Sequence, residues 1–148
     1  MTAYRFRDFY EGKIKSLKHI EPNLSDWKIH ITTVFPEVRL KTFIELRSAD
    51  GGPWSRVCAL PAFWTGILYN DLVLDEAFDY VKNWKYEEVN EAYHGFVSKG
   101  FKTELDKKNI KKHAEYFLNL SRKGLELRIK LNANNEYESC FLNEIENI

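Results

Sequence analysis

Apolar and polar residues alternate almost strictly from Val38 to Arg47, the one convincing period of two in the chain. One face presents Val38, Leu40, Thr42, Ile44 and Leu46. The other presents Arg39, Lys41, Phe43, Glu45 and Arg47. Successive side chains of a strand point to opposite faces, so the pattern predicts a strand over 38–47 with its apolar face buried. Ala49-Asp50-Gly51-Gly52-Pro53 then breaks it with a turn.

Elsewhere the spacing is helical. A short helix is predicted from Tyr4 to Gly12, and a second, N-capped by Ser25, runs through Trp27 to about Val34, where Pro36 stops it. Val57 to Tyr69 is apolar nearly all round, which predicts a buried helix with Pro61 in its first turn. Leu74–Trp84 and Glu87–Val97 read as amphipathic helices. Ile110, Ala114, Phe117, Leu118 and Leu125 mark a long one that ends at Gly124 or runs past it, and Tyr137–Ile148 reads as a last short helix. The fold class is therefore α+β, predominantly helical with one strand. A lone strand leaves its backbone unpaired, so its partner is expected in sequence outside these residues. No repeat, linker or low-complexity stretch marks a boundary, and residues 1–148 read as one portion of a domain.

Composition changes this picture little. The 148 residues are 44% hydrophobic and 30% charged, a globular mixture, and 15% are aromatic. Lys plus Arg (22) balances Asp plus Glu (22), so no global field points to nucleic acid or membrane. No apolar run reaches the length of a membrane span, and no signal-peptide core opens the chain. With two cysteines, Cys58 and Cys140, read as reduced thiols, the expected setting is cytoplasmic. Trp27, Trp54, Trp64 and Trp84 are most simply core residues.

Candidate chemistry sits on the polar face of the strand, where Arg39, Lys41 and Arg47 surround Glu45. From the pattern alone, an exposed strand face carrying ordinary solvated charges is the simpler reading. The chemical reading is a polyanion site: guanidinium forks match phosphate oxygens, and a carboxylate among phosphates suits Mg²⁺. Gly51-Gly52 would let backbone approach a ligand, or simply turn. His30 adjoins the segment, while His19, His94 and His113 show no metal-ligand spacing with the cysteines. No Walker loop, dinucleotide loop or nucleophile elbow is present.

The run from His30 through Pro36-Glu37-Val38-Arg39-Leu40-Lys41, continuing as Phe43-Ile44-Glu45-Leu46-Arg47-Ser48-Ala49-Asp50-Gly51-Gly52-Pro53-Trp54, resembles a signature of glutamate–cysteine ligases of the plant and proteobacterial type. Cys58-Ala59-Leu60-Pro61-Ala62-Phe63-Trp64, the lead-in Phe6-Arg7-Asp8-Phe9, Glu11-Gly12-Lys13 and the late Phe141-Leu142-Asn143 are similar to the family too. The resemblance implies ATP-dependent ligation of the glutamate γ-carboxylate to the cysteine amine through a γ-glutamyl phosphate, the first step of glutathione synthesis. By its Glu-x-Arg element, Glu45 would be a Mg²⁺ ligand and Arg47 a catalytic contact to the transferred phosphate or the glutamyl group. Arg39 and Lys41 become candidates for substrate or nucleotide contacts. Family members are much longer. The chain is therefore expected to be a carboxy-terminal portion of a glutamine-synthetase-like catalytic domain, lacking the amino-terminal part and the last segment. Its partners would be glutamate, cysteine, ATP and a separate amino-terminal ligase portion. A non-catalytic remnant or binding module keeping the motif is the alternative.

Overall fold

In the computed structural model, which describes residues 4–146, the alternating segment turns back on itself. β1 (Val38–Leu40) and β2 (Ile44–Leu46) pair antiparallel in the register Val38↔Leu46, Arg39↔Glu45 and Leu40↔Ile44. The Lys41 amide donates to the Phe43 carbonyl across the turn (2.8 Å), and the Arg47 amide donates to the Glu37 carbonyl (2.9 Å) beyond the last pair. The single strand expected over 38–47 is thus a hairpin. Its partner strand lies within the segment and not in sequence outside it. Each cross-strand pair joins two odd or two even positions, and the alternation therefore passes through the turn unbroken.

The burial of the two faces is the reverse of expectation. Val38, Leu40 and Ile44 are 54%, 74% and 63% exposed, whereas Arg39 is only 8% exposed. A two-stranded ribbon has no layer of its own to cover an apolar face. From the polar face, Arg39 instead packs on backbone carbonyls at and just beyond the end of the preceding helix.

The chain divides into two compact units, Met1–Ala49 and Asp50–Ile148. The first contains α1 (Phe6–Tyr10), α2 (Leu24–Thr32) and the hairpin. Gly12 follows α1 with a φ of 65°, a left-handed position that suits glycine. The N-cap of α2 is Asn23, where Ser25 was expected. Asn23 Oδ1 accepts from the amides of Ser25 (2.7 Å) and Asp26 (3.3 Å), while Asp26 Oδ2 accepts from the Asn23 amide (2.9 Å). An amide side chain and a carboxylate three residues on satisfy the orphan donors reciprocally, and Ser25 sits too far inside the first turn to do so. Asn23→Ala is expected to weaken α2 by about 1 kcal/mol, read as roughly five-fold faster exchange of its amides.

The second unit is helical around one small hairpin. α3 (Trp54–Leu68) starts after Pro53, three residues earlier than expected, so Pro61 falls mid-helix and cannot donate to the Val57 carbonyl. α4 (Asp71–Val81) is capped by Asn70, which accepts from the Val73 amide at 3.2 Å. α5 (Tyr86–Lys99) follows, then β3 (Glu104–Leu105) and β4 (Lys108–Asn109) around Asp106 and Lys107, both at positive φ. α6 (Ile110–Leu127) does run past Gly124. The stretch read as one last helix is a 3-10 turn at Glu138–Leu142 continued by α7 (Asn143–Glu146), with residues 147 and 148 outside the described residues. The coarse class, helices with small antiparallel strand pairs, is α+β.

Two apolar clusters hold this unit. Ile67, Val73, Ala77 and Leu120 pack with Phe63, Tyr116 and Phe117. Ala62, Leu125 and Leu142 pack with Phe63, Leu118 and Ile145. Between them α3 and α6 meet at glycines: a Cβ on Gly124 would lie 1.8 Å from the Gly66 carbonyl oxygen, and one on Gly66 would lie 2.2 Å from the Ser121 carbonyl oxygen. Ser121 Oγ donates to the Phe63 carbonyl at 2.8 Å across the same crossing. α3 buries only its small-residue side, Ala59, Ala62 and Gly66 with Ile67, and exposes Trp54, Val57, Leu60 and Leu68. The expectation that α3 is buried all round fails for that reason. The tryptophans are not core either: Trp54 is 80% exposed, Trp27 is exposed, and Trp64 and Trp84 are half-buried. Among the described residues no single helix is long and apolar enough to cross a membrane.

Candidate active site

The hairpin brings two of the four predicted site residues, Arg39 and Arg47, against the carboxylate of a third, Glu45. Arg39 and Glu45 are direct partners across the ribbon, and Arg47 lies two residues beyond Glu45 on the same side. Arg39 Nε and Nη2 both reach Glu45 Oε2, at 2.8 and 2.7 Å. Arg47 Nη1 lies 3.4 Å from Glu45 Oε1. The hydrogen bond from Arg39 holds the Glu45 carboxyl below the usual carboxylate range. Desolvation opposes that shift, and the charges of Arg39, Lys41 and Arg47 add to it. Glu45 is therefore an ionised carboxylate, with Oε2 bound by Arg39 and Oε1 facing Arg47.

Arg39 differs from what the sequence leads one to expect of a solvent-facing ligand contact. Its Nη1 donates to the carbonyls of Thr32 (2.9 Å) and Val34 (3.2 Å) at the end of α2. Its Nε, Nη1 and Nη2 all meet partners within the protein, and the side chain is buried because backbone and Glu45 enclose it. A cation at a helix carboxy terminus also meets the negative end of the helix dipole. Lys41, in the turn, is exposed and lies 5.7 Å from the centroid of Phe43.

Sequence reasoning missed Phe35. Its exposed ring lies 5.7 Å from the Arg39 guanidinium carbon and 5.0 Å from that of Arg47. A guanidinium over an aromatic face is attracted to the ring quadrupole, which restrains Arg47 at low entropic cost. An aromatic four residues ahead of an arginine carries no signal until the chain direction between them is known.

His30, flagged beside this segment, stacks on Phe6 at 4.5 Å and lies 5.7 Å from Trp27, a packing role in the first unit. His113 is a buried link: Nε2 lies 2.8 Å from the Leu105 carbonyl and Nδ1 lies 3.0 Å from the Tyr80 hydroxyl. Cys58 and Cys140 are free thiols. Among the described residues no three His, Cys, Asp or Glu side chains gather as a metal cluster. Gly51 and Gly52 belong to the second unit.

Residues 5–148 match the family model described as glutamate-cysteine ligase family 2 (GCS2). Similar curated proteins include the chloroplastic glutamate–cysteine ligase of Medicago truncatula, 44% identical over 144 residues, which is 97% of this chain and 27% of that protein. The corresponding protein of Nicotiana tabacum is 43% identical over 140 residues, 95% of this chain and 26% of that protein. That of Arabidopsis thaliana is 41% identical over 147 residues, 99% and 27% respectively. The chain thus spans about a quarter of the length of the curated relatives it matches. The cytoplasmic setting expected from composition is overturned by these names, all of which read chloroplastic. A globular body's composition does not separate one aqueous compartment from another.

Proposed function

Because the chain belongs to glutamate-cysteine ligase family 2, we propose that it supplies one wall of an active site joining the glutamate γ-carboxylate to the cysteine amine with ATP as substrate. In this reading residues 1–148 are a carboxy-terminal portion of the catalytic domain. Phosphoryl transfer from ATP makes the γ-carboxylate an acyl phosphate; the cysteine amine then attacks the acyl carbon, and phosphate leaves. The observation that carries the reading is the hairpin face. Among the described residues Arg47 has one long ion-pair contact, to Glu45, and an aromatic support, which leaves its guanidinium able to turn donors to an anion. Those donors suit the charge spread over phosphoryl oxygens, or the glutamyl carboxylate. Lys41 is proposed as a point-charge contact to substrate or nucleotide.

Mg²⁺ fits this face in a limited way. Mg²⁺ keeps several waters and takes one or two carboxylates beside substrate phosphates. Glu45 is ionised and leaves Oε1 outside the Arg39 fork, so it can provide one such ligand; the remaining ligands must come from elsewhere. When bound, the ion neutralises charge on the nucleotide oxygens. The exposed apolar side of α3, with Trp54, Val57 and Leu60, supports the idea that more protein packs on this chain.

The test is a chimera in which this chain replaces the corresponding quarter of the Medicago truncatula ligase. It is expected to form γ-glutamylcysteine, whereas the chain alone, with ATP, Mg²⁺, glutamate and cysteine, releases no phosphate above background. A folded chimera that binds substrates without turnover would make the chain a non-catalytic module.

A further inference from the structure

We propose that Arg39 is a positioning residue, which locks Glu45 against the end of α2 and through Glu45 aims Arg47. This rests on the reading of Arg47 as the anion contact and assigns Arg39 a different task from ligand binding. Three observations carry it. Arg39 directs Nε and Nη2 to Glu45 Oε2 (2.8 and 2.7 Å) and Nη1 to the carbonyls of Thr32 and Val34 (2.9 and 3.2 Å). These contacts come from three places, β2, α2 and the link that follows α2, so one planar side chain ties them together. Second, Arg39 is 8% exposed while Arg47 is part-exposed, and the two guanidiniums flank the same Phe35 ring. Third, the Glu45 carboxylate is shared: Oε2 belongs to Arg39 and Oε1 faces Arg47. If the fork is lost, the carboxylate is free to rotate about its last torsion. Arg47 then loses its fixed counter-charge.

A fork is needed for this task. Lysine keeps the charge but presents a single ammonium, which cannot hold Oε2 twice and two carbonyls at once. Arg39→Lys is therefore the informative variant, because it leaves the site's net charge unchanged. Supporting groups of this kind carry 10–100-fold effects where they have been removed behind metal ligands, and a kcat loss of about 10-fold is expected here.

Two measurements test the proposal. In the chimera, Arg39→Lys should lower kcat about 10-fold while the dissociation constant of a non-hydrolysable ATP analogue, read by calorimetry, changes less than about two-fold; in an Arg47→Ala background the same substitution should cost almost nothing further. In the chain itself, the arginine Nε–Hε NMR signal of Arg39 should resist solvent exchange, and Arg39→Lys should shift or broaden that of Arg47. A ten-fold weaker nucleotide affinity in Arg39→Lys would make Arg39 a direct ligand and overturn the proposal. So would an additive double substitution, or an Arg47 signal that does not move. Failure of Arg47→Ala to affect turnover would instead sink the reading on which the proposal rests, and the NMR arm would still decide whether Arg39 orders Arg47.

Discussion

Gly124→Ala is expected to lower the unfolding free energy of the chain by about 3 kcal/mol, at the upper end of what overpacking one methyl group costs. In an ordinary helix the substitution would stabilise by nearly 1 kcal/mol through propensity alone. Here the sign reverses, because the new Cβ would stand 1.8 Å from the Gly66 carbonyl oxygen. That oxygen is backbone, so no flexible side chain can yield; α3 and α6 must move apart. Separating them stretches the 2.8 Å bond from Ser121 Oγ to the Phe63 carbonyl and loosens both apolar clusters, which share Phe63. Urea unfolding followed by tryptophan fluorescence should show the midpoint falling with little change in slope. Gly66→Ala, with 2.2 Å to the Ser121 carbonyl oxygen, should behave similarly. An unchanged midpoint for either would mean the two helices do not touch there.

The glycine crossing shows where sequence reading runs out. The apolar stripe predicted on α6 included Ala114, which is exposed, and omitted His113, Ser121 and Gly124, which are buried. Periodicity weighs hydrophobicity, whereas this helix is docked by small and hydrogen-bonded residues that score as neutral or polar. The same limit explains α3. Its apolar residues ring the helix, and only contact with α6 decides that Ala59, Ala62 and Gly66 face inward while Trp54 does not.

At the hairpin the reading was better, for a physical reason. Alternation assigns faces regardless of whether the strand is continuous, so Arg39, Glu45 and Arg47 were placed together although the turn at 41–43 was not seen. Lys41-Thr42-Phe43 contains no glycine, proline or asparagine to announce a reversal. Burial was not legible, because it depends on carbonyls of Thr32 and Val34 that any residue could supply. The helix start at Asn23 was missed for a milder reason: Ser25 is as good a cap by type, and local geometry chose the earlier residue.

The other large effect concerns turnover. In the chimeric ligase Arg47→Ala is expected to lower kcat by on the order of 10²-fold or more, as when a donor aimed at developing charge is removed. Among the described residues Arg47 is held lightly, by a contact at 3.4 Å to Glu45 and a place 5.0 Å from the Phe35 ring centroid. A side chain held so lightly adds little to the fold, so the variant should unfold at nearly the parental temperature. Loss of activity with retained stability is therefore the signature of a functional residue here. Glu45→Gln should act differently. It should raise the Mg²⁺ concentration needed for half-maximal rate, because a neutral amide is a poorer partner for a hard cation.

Formation of γ-glutamylcysteine by the chimera, measured with and without Arg47→Ala under saturating ATP, Mg²⁺, glutamate and cysteine, tests the central claim most directly. Robust product from the parental chimera and a loss of about 10²-fold or more with Arg47→Ala is the predicted result. Equal product from both would contradict it, and the charged face of the hairpin would then be a solvated surface.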